Sequence, residues 1–168
     1  MSSYSVIVKD TNARFQDLSK QGPYDIYVEG VFTENFEGVM TFRLGDVSSK
    51  VVGLIKLSQE FLITLLTTRG SDMFEPNKGT ALAELPGSNF YDISEVEIVC
   101  RESVISAARQ VQDAQRKFLP SIPEEVLRSA ELLSINSIGD EVQPRILVVS
   151  EAGHFAKVGL PAINVYFG

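Results

Sequence analysis

Asp72 and Glu75 are the residues of this chain whose type and spacing come nearest to a reaction centre. A carboxylate pair flanking a cleft can divide the acid and nucleophile roles of glycoside hydrolysis. The same pair on an acidic loop also serves as helix caps, or as ion partners of Arg69 and Lys78, and no cleft is legible around it. Other chemistry is scarce. His154 is the only histidine, which excludes a histidine dyad or a multi-histidine metal site within one chain. Beside Gly153 it reads as an exposed turn residue. Cys100 is the only cysteine, so internal disulfides and cysteine-rich metal sites are excluded. It falls on an apolar helix seam and reads as a buried, inert thiol. Lys78-Gly79-Thr80 lacks the upstream glycine of a phosphate-binding loop, and no Gly-x-Gly-x-x-Gly occurs. No cofactor and no metal are expected.

The carboxylates lie in Leu65-Leu66-Thr67-Thr68-Arg69-Gly70-Ser71-Asp72-Met73-Phe74-Glu75-Pro76-Asn77-Lys78-Gly79-Thr80. Val51, Leu54, Ile55, Leu57, Phe61, Leu62, Leu65 and Leu66 recur at helical spacing ahead of it. Gly70 is the expected stop of that helix. A segment so punctuated by Gly and Pro, with Arg69, Asp72, Glu75 and Lys78 around it, reads as a docking loop.

A second helix is expected from about Ile93 to Phe118. Asp92-Ile93-Ser94-Glu95 and Ser94-Glu95-Val96-Glu97 both fit a capping box. Ile93, Val96, Cys100, Val104, Ala107, Val111, Ala114 and Phe118 form a narrow seam, and Pro120 ends it. The helix would be roughly 39 Å long, enough to cover a sheet and still offer an oligomeric contact. Ser121-Ile122-Pro123-Glu124 is a further capping box, opening a short helical turn.

The rest reads as strands. Tyr24, Ile26 and Val28, then Met40, Phe42 and Leu44, alternate with polar neighbours around a turn at 33–38, giving an antiparallel hairpin over 24–45. Leu133, Ile135 and Ser137 alternate inward. The apolar run Arg145-Ile146-Leu147-Val148-Val149-Ser150 suits a central strand, and Ile163, Val165 and Phe167 alternate with Asn164 and Tyr166 to Gly168. That last segment has high β-propensity and no charge after Lys157. As an exposed edge it would need a partner strand. Residues 1–20 read as a flexible arm, and 21–168 as one α+β domain: a small mixed or antiparallel sheet on two helices, with an N-terminal hairpin.

The chain has 168 residues, 44% of them hydrophobic and 22% charged, with a formal net charge of −7. Scattered Lys and Arg in an acidic chain argue against nucleic-acid binding. No stretch approaches the roughly 20 apolar residues of a membrane span, and the first residues lack a signal-peptide layout.

Leu65-Leu66-Thr67-Thr68, then Gly70, Pro76 and Gly79, resembles the signature region of the baseplate wedge, or sheath-initiator, family of contractile phage tails. The order of a long helix, a Pro break, a short turn and several strands agrees, so the resemblance spans about 54–167. It departs where the family often has Glu-Arg after the first Gly; here Ser71-Asp72 stands, leaving Arg69 as the nearby arginine. The 24–45 hairpin is larger than a minimal member carries.

The resemblance implies a non-enzymatic virion protein of the tail baseplate, made in the host cytoplasm and present in several copies around the tail. Its partners would be sheath subunits, wedge proteins and tube or hub proteins. It would offer its terminal strand as template to the first sheath ring. The implied contact residues are Arg69, Asp72, Glu75, Pro76 and Lys78 on the loop, and Ile163, Asn164, Val165, Tyr166 and Phe167 on the strand. The alternatives are a lysozyme-like glycan hydrolase using Asp72 or Glu75, and an adaptor or tail-completion protein of a non-contractile particle.

Overall fold

The structure is a computed structural model and describes residues 8–11, 25–26, 28–31, 41–44, 50–118, 120 and 122–168. In chain order these form β1 (Val8–Thr11), β2 (Asp25–Ile26), β3 (Val28–Val31), β4 (Thr41–Leu44), β5 (Lys50–Val51) and helix α1 (Gly53–Leu66). A 3-10 turn (Ala81–Glu84), β6 (Asn89–Phe90) and the long helix α2 (Ile93–Lys117) follow. After a second 3-10 turn (Pro123–Glu125) come β7 (Leu127–Ile138), β8 (Glu141–Ser150), β9 (Phe155–Gly159), β10 (Ile163–Asn164) and β11 (Tyr166–Phe167). The fold is α+β, with two helices packed on an antiparallel sheet.

β8 is the centre of that sheet, as its apolar run suggests. It pairs with β7 along one side, and with β9 and then β10 along the other. Val142, Ile146 and Val148 are fully buried. Pro144 has no N–H to donate, and it sits where the neighbour changes from β9 to β10. Its carbonyl is used there, accepting from Leu160 N at 3.0 Å. The inward residues of β7 are Leu127, Ala130, Leu132 and Ile135. A register shift between Leu132 and Ser134 turns Leu133 outward, against the simple alternation expected.

α1 forms because Leu54, Leu57, Phe61 and Leu65 put one apolar stripe into the core. It begins after Val51, which pairs in β5. Val52 provides no side-chain cap; the buried Glu125 carboxylate does so from outside, accepting from Gly53 N at 3.0 Å. An anion at a helix N-terminus is favoured by its free N–H groups. Lys56 Nζ, 2.9 Å from the other oxygen, balances the charge.

α2 starts on the first of the two capping boxes. Asp92 Oδ1 accepts from Ser94 N and Glu95 N, and Glu95 reaches back to Tyr91 N. The helix packs on α1 and β7. Its buried positions are Val96, Cys100, Ser103, Val104, Ala107, Ala108, Val111 and Gln115. Ile93, Ala114 and Phe118, expected on the seam, are exposed. The reason is the period: a straight helix drifts by about 20° per heptad from a strict 3.5-residue repeat. By the last turn the core face has moved from Ala114 to Gln115. The part of the seam from Val96 to Val111 is thus filled by the domain itself.

The second 3-10 turn begins at Pro123, with Ile122 as cap residue and no side-chain cap; Ser121 of the expected capping box lies outside the described residues. β3 pairs antiparallel with β4, Val28 opposite Leu44. The turn expected between them at 33–38 lies outside the described residues. Within the stretch expected to be a flexible arm, Val8–Thr11 pairs with β9; the remainder of 1–20 lies outside the described residues. Among the described residues, no helix is long and apolar enough to cross a membrane.

Candidate docking site

The loop between α1 and the first 3-10 turn closes on itself at a neck. Thr68 bridges Thr80 in parallel fashion, and Thr80 N donates to Thr67 O at 2.9 Å. The buried Thr80 hydroxyl donates to Leu65 O at 2.6 Å. A helix end leaves its last carbonyls without intrahelical partners, and here the far side of the loop supplies them. Thr67 completes the closure, with N and Oγ1 both donating to Ile63 O. The helix therefore ends at Leu66, ahead of the expected stop. Gly70 has another task. It holds φ +80° at the third position of a turn closed by Ser71 N to Thr68 O, the φ a type II turn requires.

Gly79 is the tightest point. Its φ is +103°, and a Cβ there would collide with the Thr67 carbonyl and lie 2.9 Å from Arg69 N. The Gln110 side chain of α2 grips both its backbone groups, accepting from Gly79 N at 2.8 Å and donating to Gly79 O at 2.9 Å. Gln110 is itself steadied by Ser106 Oγ at 3.1 Å.

Beyond the neck the charged residues work on the loop's own backbone. Asp72 Oδ1 accepts from Phe74 N at 2.9 Å and Glu75 N at 3.2 Å. Glu75 pairs with Lys78 at 3.3 Å, and Lys78 N donates to Glu75 O. Arg69 and Pro76 are exposed. What this arrangement presents is not a charged group but Met73 and Phe74, 84% and 88% exposed. The sequence reading singled out their charged neighbours and passed them over. Two large apolar residues side by side in an otherwise polar, heavily punctuated loop were the available signal.

The terminal segment is different. Val165 is fully buried and Ile163 nearly so. β10 pairs with β8, and β11 pairs in parallel with β6. Val165 N donates to Asp140 O, Tyr166 N to Ser88 O, Gly168 N to Phe90 O, and Gly87 N to Asn164 O. The segment is therefore stitched into its own domain on both sides. Ile163 and Val165 are core residues, which corrects the expectation that this strand is an open edge awaiting a partner. Asn164 and Tyr166 face out, and Phe167 is half-buried against the core. The two segments expected to dock are not brought together. Gly79 sits at Gln110 and Phe167 beside Phe90, ahead of α2, so roughly 25 Å of helix separates them.

A buried polar knot escaped the sequence reading. Gln115 Oε1 accepts from Leu127 N at 2.8 Å, and its Nε2 donates to Glu125 O at 2.9 Å. With the Glu125 carboxylate on Gly53 and Lys56, it ties both helices to the start of β7. Burial pushes the nearby Glu60 carboxyl above its usual range, with Gln115 opposing. Cys100 is fully buried, and burial pushes its thiol up to about 12, as befits an inert side chain. His154 is half-buried in the β8–β9 turn rather than exposed, its carbonyl accepting from Ser150 N. Comparison with known families, curated proteins and solved structures finds no match to this chain.

Proposed function

We propose that the chain is a non-enzymatic structural component of a contractile-tail baseplate, joining the wedge to the tail and giving the first sheath ring a surface to grow from. One observation carries the reading. Of the residues that make the resemblance, Leu65, Thr67, Thr68 and Gly79 build the loop neck, where Thr80 and Gln110 hold them, and Gly70 sets the turn next to it. A motif whose members hold one loop shape is what a recurring assembly contact requires. The use of Asp72 and Glu75 in backbone and ion-pair roles supports a structural reading over a hydrolytic one.

The growth surface is not the ladder of the terminal strand, whose alternate residues are internal. Among the described residues β7 pairs only with β8. Gln112 covers the Leu127 and Arg128 carbonyls, which leaves the outer side of 129–138 for an added strand.

The test is reconstitution with sheath and tube subunits of a contractile tail from the same source as the chain. Short sheathed tubes carrying the chain at one end are expected. Sheath that grows equally well without the chain, together with its absence from purified tails, would sink the reading.

A further inference from the structure

We infer that the solvent face of α2 carries a second, self-complementary seam, on which two copies of this chain pair with their α2 helices antiparallel. The inference does not rest on the baseplate reading. The buried side of α2 packs on α1 and β7 within its own domain. On the other side Glu95, Ile98, Glu102, Ile105 and Arg109 follow one another in steps of three and four, which sets them in one row along the helix. All five are exposed. Ile98 and Ile105 stand at 56% and 43% exposure, one heptad apart. A β-branched side chain adds nothing to the stability of an exposed helix face, so the pair has no local reason to be there.

The order of charge along the row selects the occupant. From the N-terminal end the row is acidic, apolar, acidic, apolar, basic, with Arg101 beside Glu102. A two-fold axis between Arg101 and Glu102 lays Ile98 on Ile105 of the second copy, and Ile105 on its Ile98. The same axis sets Glu102 against Arg101 of the second copy. It also brings Arg109 within one residue of its Glu95. Every contact of this pairing occurs twice, as in any isologous interface. Parallel pairing would set Glu102 on Glu102 and Arg109 on Arg109, and like charges disfavour it. An anionic surface would meet Glu95 and Glu102, and a basic one would meet Arg109. Only a surface with the reverse order fits the whole row, and the chain's own row turned end for end is that surface.

The central charges are open to such a contact. Among the described residues, Glu102 and Arg109 make no hydrogen bond or ion pair through their side chains. Arg101 holds Glu97, but both are exposed, and a surface pair of this kind is worth little. Glu95 gives one carboxylate oxygen to Tyr91 N. Two isoleucines per copy bury well under the roughly 800 Å² per partner of a stable complex. The contact is therefore a weak one, with a dissociation constant of about 10–100 µM.

The test is sedimentation of the purified full chain at concentrations from well below to well above that value. A monomer that gives way to a dimer is expected. An Ile98→Ser, Ile105→Ser variant should melt as the parent does and weaken the dimer by at least about tenfold. Glu102→Arg sets Arg on Arg across the axis and should weaken it as much, and adding Arg101→Glu to that variant should restore it. Disulfide trapping reads the orientation. Ile98→Cys and Ile105→Cys variants are oxidised separately and then as a mixture. A disulfide is expected only in the mixture, because the two copies of position 98 lie about 10 Å apart along the helices of an antiparallel pair. The native Cys100 is buried and does not compete.

A chain that stays monomeric throughout overturns the inference. So does a dimer that survives the serine or the Glu102→Arg variant, a charge swap that fails to restore it, or a disulfide within either cysteine variant alone. Failure of the baseplate reading is distinguishable. An antiparallel dimer of a chain absent from tails leaves the seam standing and removes the baseplate. A strictly monomeric chain found in tails does the reverse.

Discussion

The loop at 67–80 and the tail at 163–168 both read as partner surfaces, and the structure packs them in opposite ways. The loop is closed at its base and open at its tip: Thr80 is fully buried, whereas Phe74 is 88% exposed. The tail alternates buried and exposed residues along its length, as any half-covered strand does, and its Val165, Tyr166 and Gly168 N–H groups find acceptors within the domain. β-propensity at a chain end indicates that a partner strand is needed. It does not say whether the partner is foreign or the chain's own β6 and β8. Backbone punctuation is more specific. A glycine that must hold φ +103° against a carbonyl marks a single shape.

The contrast is broken most forcefully at Val165. Replacing this fully buried side chain by Asp should cost about 4 kcal/mol or more. Chemical denaturation should find the variant unfolded or close to it, and deletion of 164–168 should be at least as severe. A truncated chain that unfolds cooperatively at the parental midpoint would return the tail to the role of a donor strand.

The next largest effect lies at the neck. Gly79→Ala forces its Cβ into the Thr67 carbonyl in addition to the φ penalty, so about 2–4 kcal/mol is expected. Gly70→Ala meets only the φ penalty, about 1 kcal/mol, because its nearest contact would be Pro76 O at 4.0 Å. Thermal melts of the two variants side by side give the order, and an inverted order would mean the close approach at Gly79 is not what holds the loop. A β-branched residue at Gly70 should still be worse tolerated than Ser71→Ala.

Gln110→Ala removes both bonds to Gly79 and should cost about 1–2 kcal/mol. Its more telling effect is local: amide exchange should quicken across 68–79 while α2 stays protected. Uniform loss of protection over the whole domain would show that Gln110 supports the core rather than the loop. Smallest of all is the effect of Phe74→Ser on stability, within about 0.5 kcal/mol, since the side chain touches so little of its own chain. A larger drop in melting temperature would place Phe74 in the domain's own packing and remove it from the tip.

Much of the frame was legible from residue order. Leu54, Leu57, Phe61 and Leu65 can share a face only in a helix, Asp92 to Glu95 can cap only one start, and the run 145–150 is too apolar for an edge. These are local constraints, set by periods of 3.6 and 2 and by the unpaired N–H groups of a helix start. That the loop holds one fixed backbone shape was legible for the same reason, since Gly and Pro act on the backbone where they stand.

What tertiary structure alone decided are the questions that depend on who the neighbour is. Gln115 rather than Ala114 faces the core because Leu127 and Glu125 arrive there with backbone groups to satisfy. Glu125 is buried because α1 begins without a cap of its own and Gly53 N and Lys56 need a carboxylate. Met73 and Phe74 became the exposed tip because Asp72, Glu75 and Lys78 were used on the loop itself. The terminal strand turned inward because Asp140, Ser88 and Phe90, distant in sequence, offered it carbonyls. A hydrogen-bonding group fixes that a partner must exist, and only the fold determines which partner comes within reach.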